Sequence, residues 1–182
     1  MKSIAKDLML EALKTIIKTK KKTLGKITVN DITEEAGVSK QTFYNYFRDK
    51  YDLFSYAVIT VLQDNLTTSE ENACNFMETI RNYYRTVTTE QDFYLSFIRD
   101  ISAREQIFSR IMEFSSSYFN RKALEKYGDG NIPENVMLAI QFCSIGNARL
   151  VVDWMMDKME KSPETMADIT FHCIPNMLLP LI

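Results

Sequence analysis

A chain of 182 residues, 46% of them hydrophobic, can bury one substantial core or a small head packed on a larger body. Five Gly and four Pro are too few for an all-β fold, which needs turn residues about every 8–12 positions, so helices are favoured. No uncharged apolar run of about 18 residues occurs, and charges interrupt the apolar stretch of MKSIAKDLMLEALK, so neither a membrane span nor a signal peptide is expected and the protein should stay in the cytoplasm.

The formal net charge of −2 hides an asymmetry: residues 1–60 carry eleven basic and seven acidic side chains, a net +4, and the remainder carries −6. A basic head on an acidic body suits a protein that meets DNA phosphates on one face. Lys18, Lys20, Lys21 and Lys22 fit that role equally well as they fit a solvated last helical turn, favoured there by the macrodipole. Cys74, Cys143 and Cys173 are odd in number and widely spaced, which offers no disulfide framework or metal motif and predicts reduced core residues. His172 has no partner at ligand spacing and reads as a structural or interface residue. There is no GxGxxG, no GxSxG and no second histidine for acid–base work, so neither an enzyme nor a cofactor is expected.

In chain order, Ile4, Leu8, Ala12, Leu13, Ile16 and Ile17 recur at helical spacing opposite Lys6, Asp7, Glu11 and Lys14, predicting an amphipathic helix that ends near Leu24-Gly25 with Gly as its cap. Thr28 and Asp31 form a capping-box variant for a second helix with Val29, Ile32 and Ala36 inward. That helix stops at Gly37, where a tight turn needs positive φ. Ser39 then caps a third, SKQTFYNYF. Two short helices joined this closely form a helix-turn-helix, whose second helix enters the major groove. Phe43 and Phe47, four residues apart, anchor the third helix. Lys40, Gln41, Thr42, Tyr44, Asn45 and Tyr46 fill its outer arc without one carboxylate. Gln and Asn can pair bidentately with adenine, Thr can touch a thymine methyl, and Lys and Tyr can reach phosphates.

The stretch from Ile27 to Phe54, ITVNDITEEAGVSKQTFYNYFRDKYDLF, resembles the N-terminal signature of the TetR/AcrR family of transcriptional regulators. The resemblance implies an all-α protein with a three-helix DNA-binding domain over residues 1–52 and a helical effector-binding and dimerisation domain over 53–182. It implies a homodimer on a palindromic double-stranded DNA operator. By position it makes Thr28, Tyr44, Tyr46 and Lys50 DNA-backbone contacts and Lys40, Gln41, Thr42 and Asn45 base-facing, with Ser39 capping the same helix. Gln41 departs from the Gly frequent in the family. The segment Phe142–Ala167, with WMMDKMEKSPETMA inside it, is similar to the C-terminal domain of a subgroup that includes activators of dihydroxyacetone-kinase operons.

Leu53, Phe54, Ala57, Val58, Val61 and Leu62 predict a long fourth helix that can act as a lever. Further helices are expected over about 73–88, 91–101 and 104–127, broken by TTEQD and by Ser102-Ala103-Arg104, with a loop at Tyr127–Gly130. Helices about 134–160 and 164–179, the first opened by Pro133 and the second capped by Ser162 with Pro163 at its first position, are apolar nearly all round. They read as the dimer interface or as internal core. Mid-body aromatic and sulfur side chains, including Tyr83, Tyr84, Phe93 and Tyr118, are core residues by default and cavity residues by alternative. Tyr94, Phe97, Phe108, Met112, Phe119, Arg149 and Asp153 are the candidate ligand contacts. Control by a small-molecule effector and control by a protein co-regulator both fit, and the sign of regulation, repressor or activator, is open.

Overall fold

The computed structural model describes residues 4–20, 24–71 and 75–182. Lys21, Lys22 and Cys74 lie outside them, as does the side chain of Lys20. Among the described residues every regular element is helical: α1 (Ile4–Lys20), α2 (Val29–Ala36), α3 (Lys40–Tyr46), α4 (Lys50–Glu71), α5 (Phe76–Thr89), α6 (Gln91–Ile98), α7 (Ile101–Tyr127), α8 (Glu134–Met156) and α9 (Pro163–His172), with single 3-10 turns at Leu24–Lys26 and Leu179–Leu181.

The head forms because local capping and apolar spacing agree. Thr28 Oγ1 accepts the Asp31 N–H at 3.1 Å while Asp31 Oδ2 accepts the Thr28 N–H at 2.8 Å, closing the expected box at the start of α2. Gly37 takes φ 66°, where any other L residue would be strained, and turns the chain into α3. Ser39 Oγ accepts the Thr42 N–H at 3.0 Å and starts that helix. Phe43 and Phe47 are buried in one cluster with Met9, Leu13 and Ile16 of α1 and Ile32 of α2.

That cluster continues without interruption through Leu53, Phe54, Phe97 and Ile107 to Trp154 and Met155. The first turns of α4 therefore belong to head and body at once. A second cluster, around Phe119, Val136, Ile140, Ile174 and Leu178, closes the other end of α7 and α8.

Several boundaries differ from the sequence expectation. Gly25 is no left-handed cap; it lies in the 3-10 turn Leu24–Lys26, whose tight winding uses ordinary negative φ. Ser102, Ala103 and Arg104 do not break a helix but open α7, because the Asp100 carboxylate accepts the Ser102 and Ala103 N–H groups at 2.9 and 3.3 Å. Helix α8 stops at Met156, not near 160. Lys158 and Met159 adopt φ 54° and 57°, the Met159 N–H reaches back to the Trp154 carbonyl at 2.8 Å, and the Trp154 indole donates to the Lys161 carbonyl at 2.9 Å. Helix α9 ends at His172, well short of 179, since Pro175 cannot donate an amide and disfavours helical geometry before it.

Helix α8 is long and apolar enough, by length and composition, to cross a membrane. One side of it, Val136, Ile140, Val151 and Met155, is packed inside the protein. The other leaves Leu138 59%, Phe142 72% and Ile145 41% exposed, one stripe at four- and three-residue spacing.

Candidate nucleic-acid interface and cavity

The outward arc of α3 presents Lys40, Gln41, Tyr44, Asn45 and Tyr46 to solvent. Thr42 is half-buried, its Oγ1 2.9 Å from Ser39 Oγ. Beneath this arc the ring of Phe43 meets Tyr44 edge-on at 5.5 Å and Phe47 at 5.8 Å, so the exposed side chains stand on a rigid aromatic floor. Lys6 of α1 lies 5.6 Å from the Tyr46 ring centre and 5.2 Å from that of Tyr56, bracing α3 against α1 and α4. Arg48, just past α3 and outside the sequence-derived set, adds a cation whose side chain is 77% exposed.

Thr28 and Lys50 flank this arc differently from the others. Thr28 Oγ1 is engaged with Asp31 in the capping box. Lys50 is half-buried and its Nζ donates to the Ile27 carbonyl at 2.7 Å, tying the start of α4 to the residue before the Thr28 cap of α2. Burial pushes the Lys50 ammonium below its ordinary pKa, against the pull of Asp100, Asp49 and Asp31. Its geometry is that of a brace.

The body holds a cavity of about 420 Å3 between the later turns of α4, α5, the middle of α7, α8 and α9. Of the seven candidate ligand contacts, only Phe119 lines it. Tyr94 and Phe97 are fully buried nearer the head, with Phe97 stacked on Phe54 at 3.6 Å. Phe108 and Met112 pack against that same core and do not line the cavity, although Met112 stands between the wall residues Ile111 and Phe114 on α7. Arg149 and Asp153 are bonded to each other at 2.7 Å on the outside of α8. From the wider aromatic set, Tyr83, Tyr84 and Tyr118 do reach the wall. Asn65, Ile80 and Thr170, which carry no sequence signal for a pocket, are among the further residues that line it.

The thiols also depart from the core expectation: Cys143 is half-buried and Cys173 exposed, and both border the cavity. Exposed Phe142 and Gly146 border it too, so the cavity reaches the outer face of α8. His172 is exposed and bonds the Asp168 carbonyl at 2.9 Å, one turn back in α9.

Head and body are joined by polar links. Asp52 Oδ1 accepts from Arg110 Nη2 at 3.0 Å, the Tyr51 hydroxyl donates to Asp100 at 3.0 Å, and Lys14 pairs with Glu90 at 2.8 Å. Arg110 precedes Ile111, a cavity residue.

The comparisons agree with this architecture. Residues 21–57 match the family model described as bacterial regulatory proteins of the tetR family, and residues 74–176 match a model described as a transcriptional regulator C-terminal region. Among solved structures the chain is similar to the dihydroxyacetone kinase operon activator DhaS, with a TM-score of 0.59 at 18% identity over 98% of this chain and 96% of that one. It is also similar to a protein described as a TetR-family transcriptional regulator from Syntrophomonas wolfei, with a TM-score of 0.54 at 18% identity over 98% and 96% of the two chains. The fatty acid degradation regulator FadR from Bacillus halodurans gives a TM-score of 0.54 at 17% identity, covering 96% of each chain. No curated protein matches the sequence. With a family model spanning more than half its length and a second over its helix-turn-helix, the chain belongs to the TetR family of bacterial transcription regulators.

Proposed function

We propose that this regulator binds a palindromic operator as a homodimer, with residues 1–52 as the DNA-reading head and 53–182 as the effector-binding and dimerising body. The observation that carries the reading is α3: two buried phenylalanines fix it, and its exposed arc is cationic, amide and phenolic with no carboxylate. Gln41 and Asn45 read base edges and Thr42 assists; Lys40, base-facing by the resemblance, is assigned here to a phosphate as a long exposed cation, beside Tyr44 and Tyr46, and Thr28, Ser39 and Lys50 position the helix. Operators lie in the cytoplasm, and that is where the protein works.

The exposed stripe Leu138, Phe142 and Ile145 on α8 supports a second copy as its cover. An apolar face of this kind is unfavourable in water, and a twofold pair supplies the two recognition helices that successive major grooves require about 34 Å apart.

The cavity supports a small molecule as the effector. An occupant that favours one setting of α7 moves the Asp52–Arg110 link and with it the entry of α4, shifting recognition-helix separation only as far as its affinity differs between the two states. The sequence echo of operon activators keeps control by a protein partner as a second reading, but an apolar cavity of this size serves a small molecule better. Selection of bound duplexes from a random pool tests the main proposal. Enrichment of an inverted repeat is expected, and binding without sequence preference at physiological salt would count against it.

A further inference from the structure

The character of the cavity wall constrains what it holds. Among the described residues no Asp, Glu, Lys, Arg or His lines it. The wall is hydrocarbon and aromatic, interrupted by neutral amides, hydroxyls and thiols. Much of that polarity is already paired: Asn147 Nδ2 donates to Ser115 Oγ at 3.0 Å, Asn65 Nδ2 donates to the Val61 carbonyl at 2.8 Å, and the Tyr84 hydroxyl lies 2.7 Å from Thr170 Oγ1. Each carboxamide keeps a second N–H and a carbonyl oxygen beyond those bonds. Burial pushes the Tyr84 phenol up to about 12, and burial with Cys173 nearby pushes the Cys143 thiol up to about 11, so both stay neutral at physiological pH. The charged pair Arg149–Asp153 is spent on itself outside the wall.

A charged head entering such a site would give up its hydration and find no counter-ion, whereas an apolar body with a neutral oxygen gains burial and can use the amides. We propose that the effector is an uncharged, mainly apolar molecule bearing a hydrogen-bonding oxygen, such as an alcohol, ketone or ester, rather than a carboxylate, amine or phosphate. The proposal rests on the reading of the cavity as the effector site.

Trp154, the chain's single tryptophan, meets Tyr84 edge-on at 5.1 Å, and Tyr84 lines the cavity, so indole fluorescence reports occupancy. The test titrates the protein with decanol, decanoate and decylammonium at neutral pH, alongside a Cys143→Trp/Leu150→Trp double variant that fills much of the cavity from α8. Thermal shift serves as a second readout, and as the readout for the double variant. Decanol is expected to bind at least about tenfold more tightly than either ion and to lose that affinity in the filled variant, a tenfold ratio being about 1.4 kcal/mol. Asn147→Leu is expected to weaken decanol about fivefold, the contribution of one neutral hydrogen bond. An ion binding as tightly as decanol, and lost in the filled variant, would overturn the charge rule while leaving the effector site in place. Binding of none of the three, or decanol binding that survives the Cys143→Trp/Leu150→Trp substitutions, would remove the effector-site reading itself and this proposal with it.

Discussion

Arg110 donates to one oxygen of Asp52 at 3.0 Å while the other oxygen of that carboxylate accepts the Arg48 N–H at 3.1 Å. A single carboxylate thus joins Arg48, just past the Phe47 cap of the recognition helix, to a body helix one position before the cavity residue Ile111. Replacing Arg110 with Met keeps the aliphatic stem and removes the guanidinium. Because that side chain is 40% exposed, solvent screening limits its contribution to about 1 kcal/mol, or about 2–4 °C of melting temperature for a protein of this size. The larger expected effect is on coupling: effector-induced change in operator affinity should shrink while operator affinity without effector stays within about threefold. Undiminished coupling in a paired binding assay would show that the signal travels elsewhere.

The same carboxylate sets an acid limit. Burial alone would raise the Asp52 pKa, but hydrogen bonds from the Arg48 amide, the Arg110 guanidinium and the Arg48 side chain outweigh it and hold the group below its ordinary 3.8. A depressed carboxylate contributes stability in full above its unfolded-state pKa and loses it as pH falls through the folded value. The stability gap between the wild type and Asp52→Asn should therefore be flat from about pH 7 to 5 and close below about pH 4. Thermal melts across that range measure it; a gap that closes already near pH 6 would implicate a different group.

On α3, Gln41→Ala and Asn45→Ala are expected to relax preference at particular operator positions, each by about 1–3 kcal/mol of discrimination, with modest loss of affinity for random duplex. Lys40→Ala should weaken all duplexes alike and lower the salt slope by about one. Gel-shift series over matched operators and several salt concentrations separate the two classes. Equal effects of all three substitutions on specific and random DNA would refute the division of roles.

Phe142 is the most exposed apolar side chain on α8. Phe142→Asp should yield monomers near the 21.2 kDa chain mass in analytical ultracentrifugation and cut operator affinity at least about tenfold, since paired half-sites bind through two heads. Because Phe142 also borders the cavity, the milder Phe142→Ala is expected to alter effector affinity as well. A stable dimer of Phe142→Asp would locate the interface on another face.

Gly37 supplies φ 66° between α2 and α3, and no atom lies within 4 Å of an added Cβ. Gly37→Ala therefore tests backbone strain without crowding: a loss of about 1–2 kcal/mol is expected by denaturant titration, and no loss would mean that the turn relaxes to another conformation.

What the sequence determined by itself is mostly local. The Thr28–Asp31 box, the Gly37 turn, the Ser39 cap and the Phe43–Phe47 anchor each depend on atoms within about four residues, so spacing and side-chain chemistry suffice to write the helix-turn-helix and its outer surface. The all-α class follows from periodicity in the same way. The tertiary structure alone decided which aromatic residues face a cavity. Phe108 and Phe119 both look like pocket residues on α7, but their depth along the helix, set by where α4, α5, α8 and α9 diverge, puts Phe108 against the core and Phe119 at the wall. It also decided that Arg149 and Asp153 spend their charges on each other, that Lys50 braces Ile27, and that Phe142 is uncovered within one chain. A period of 3.6 residues specifies a face but not what lies opposite it, and the opposite surface comes from residues tens of positions away.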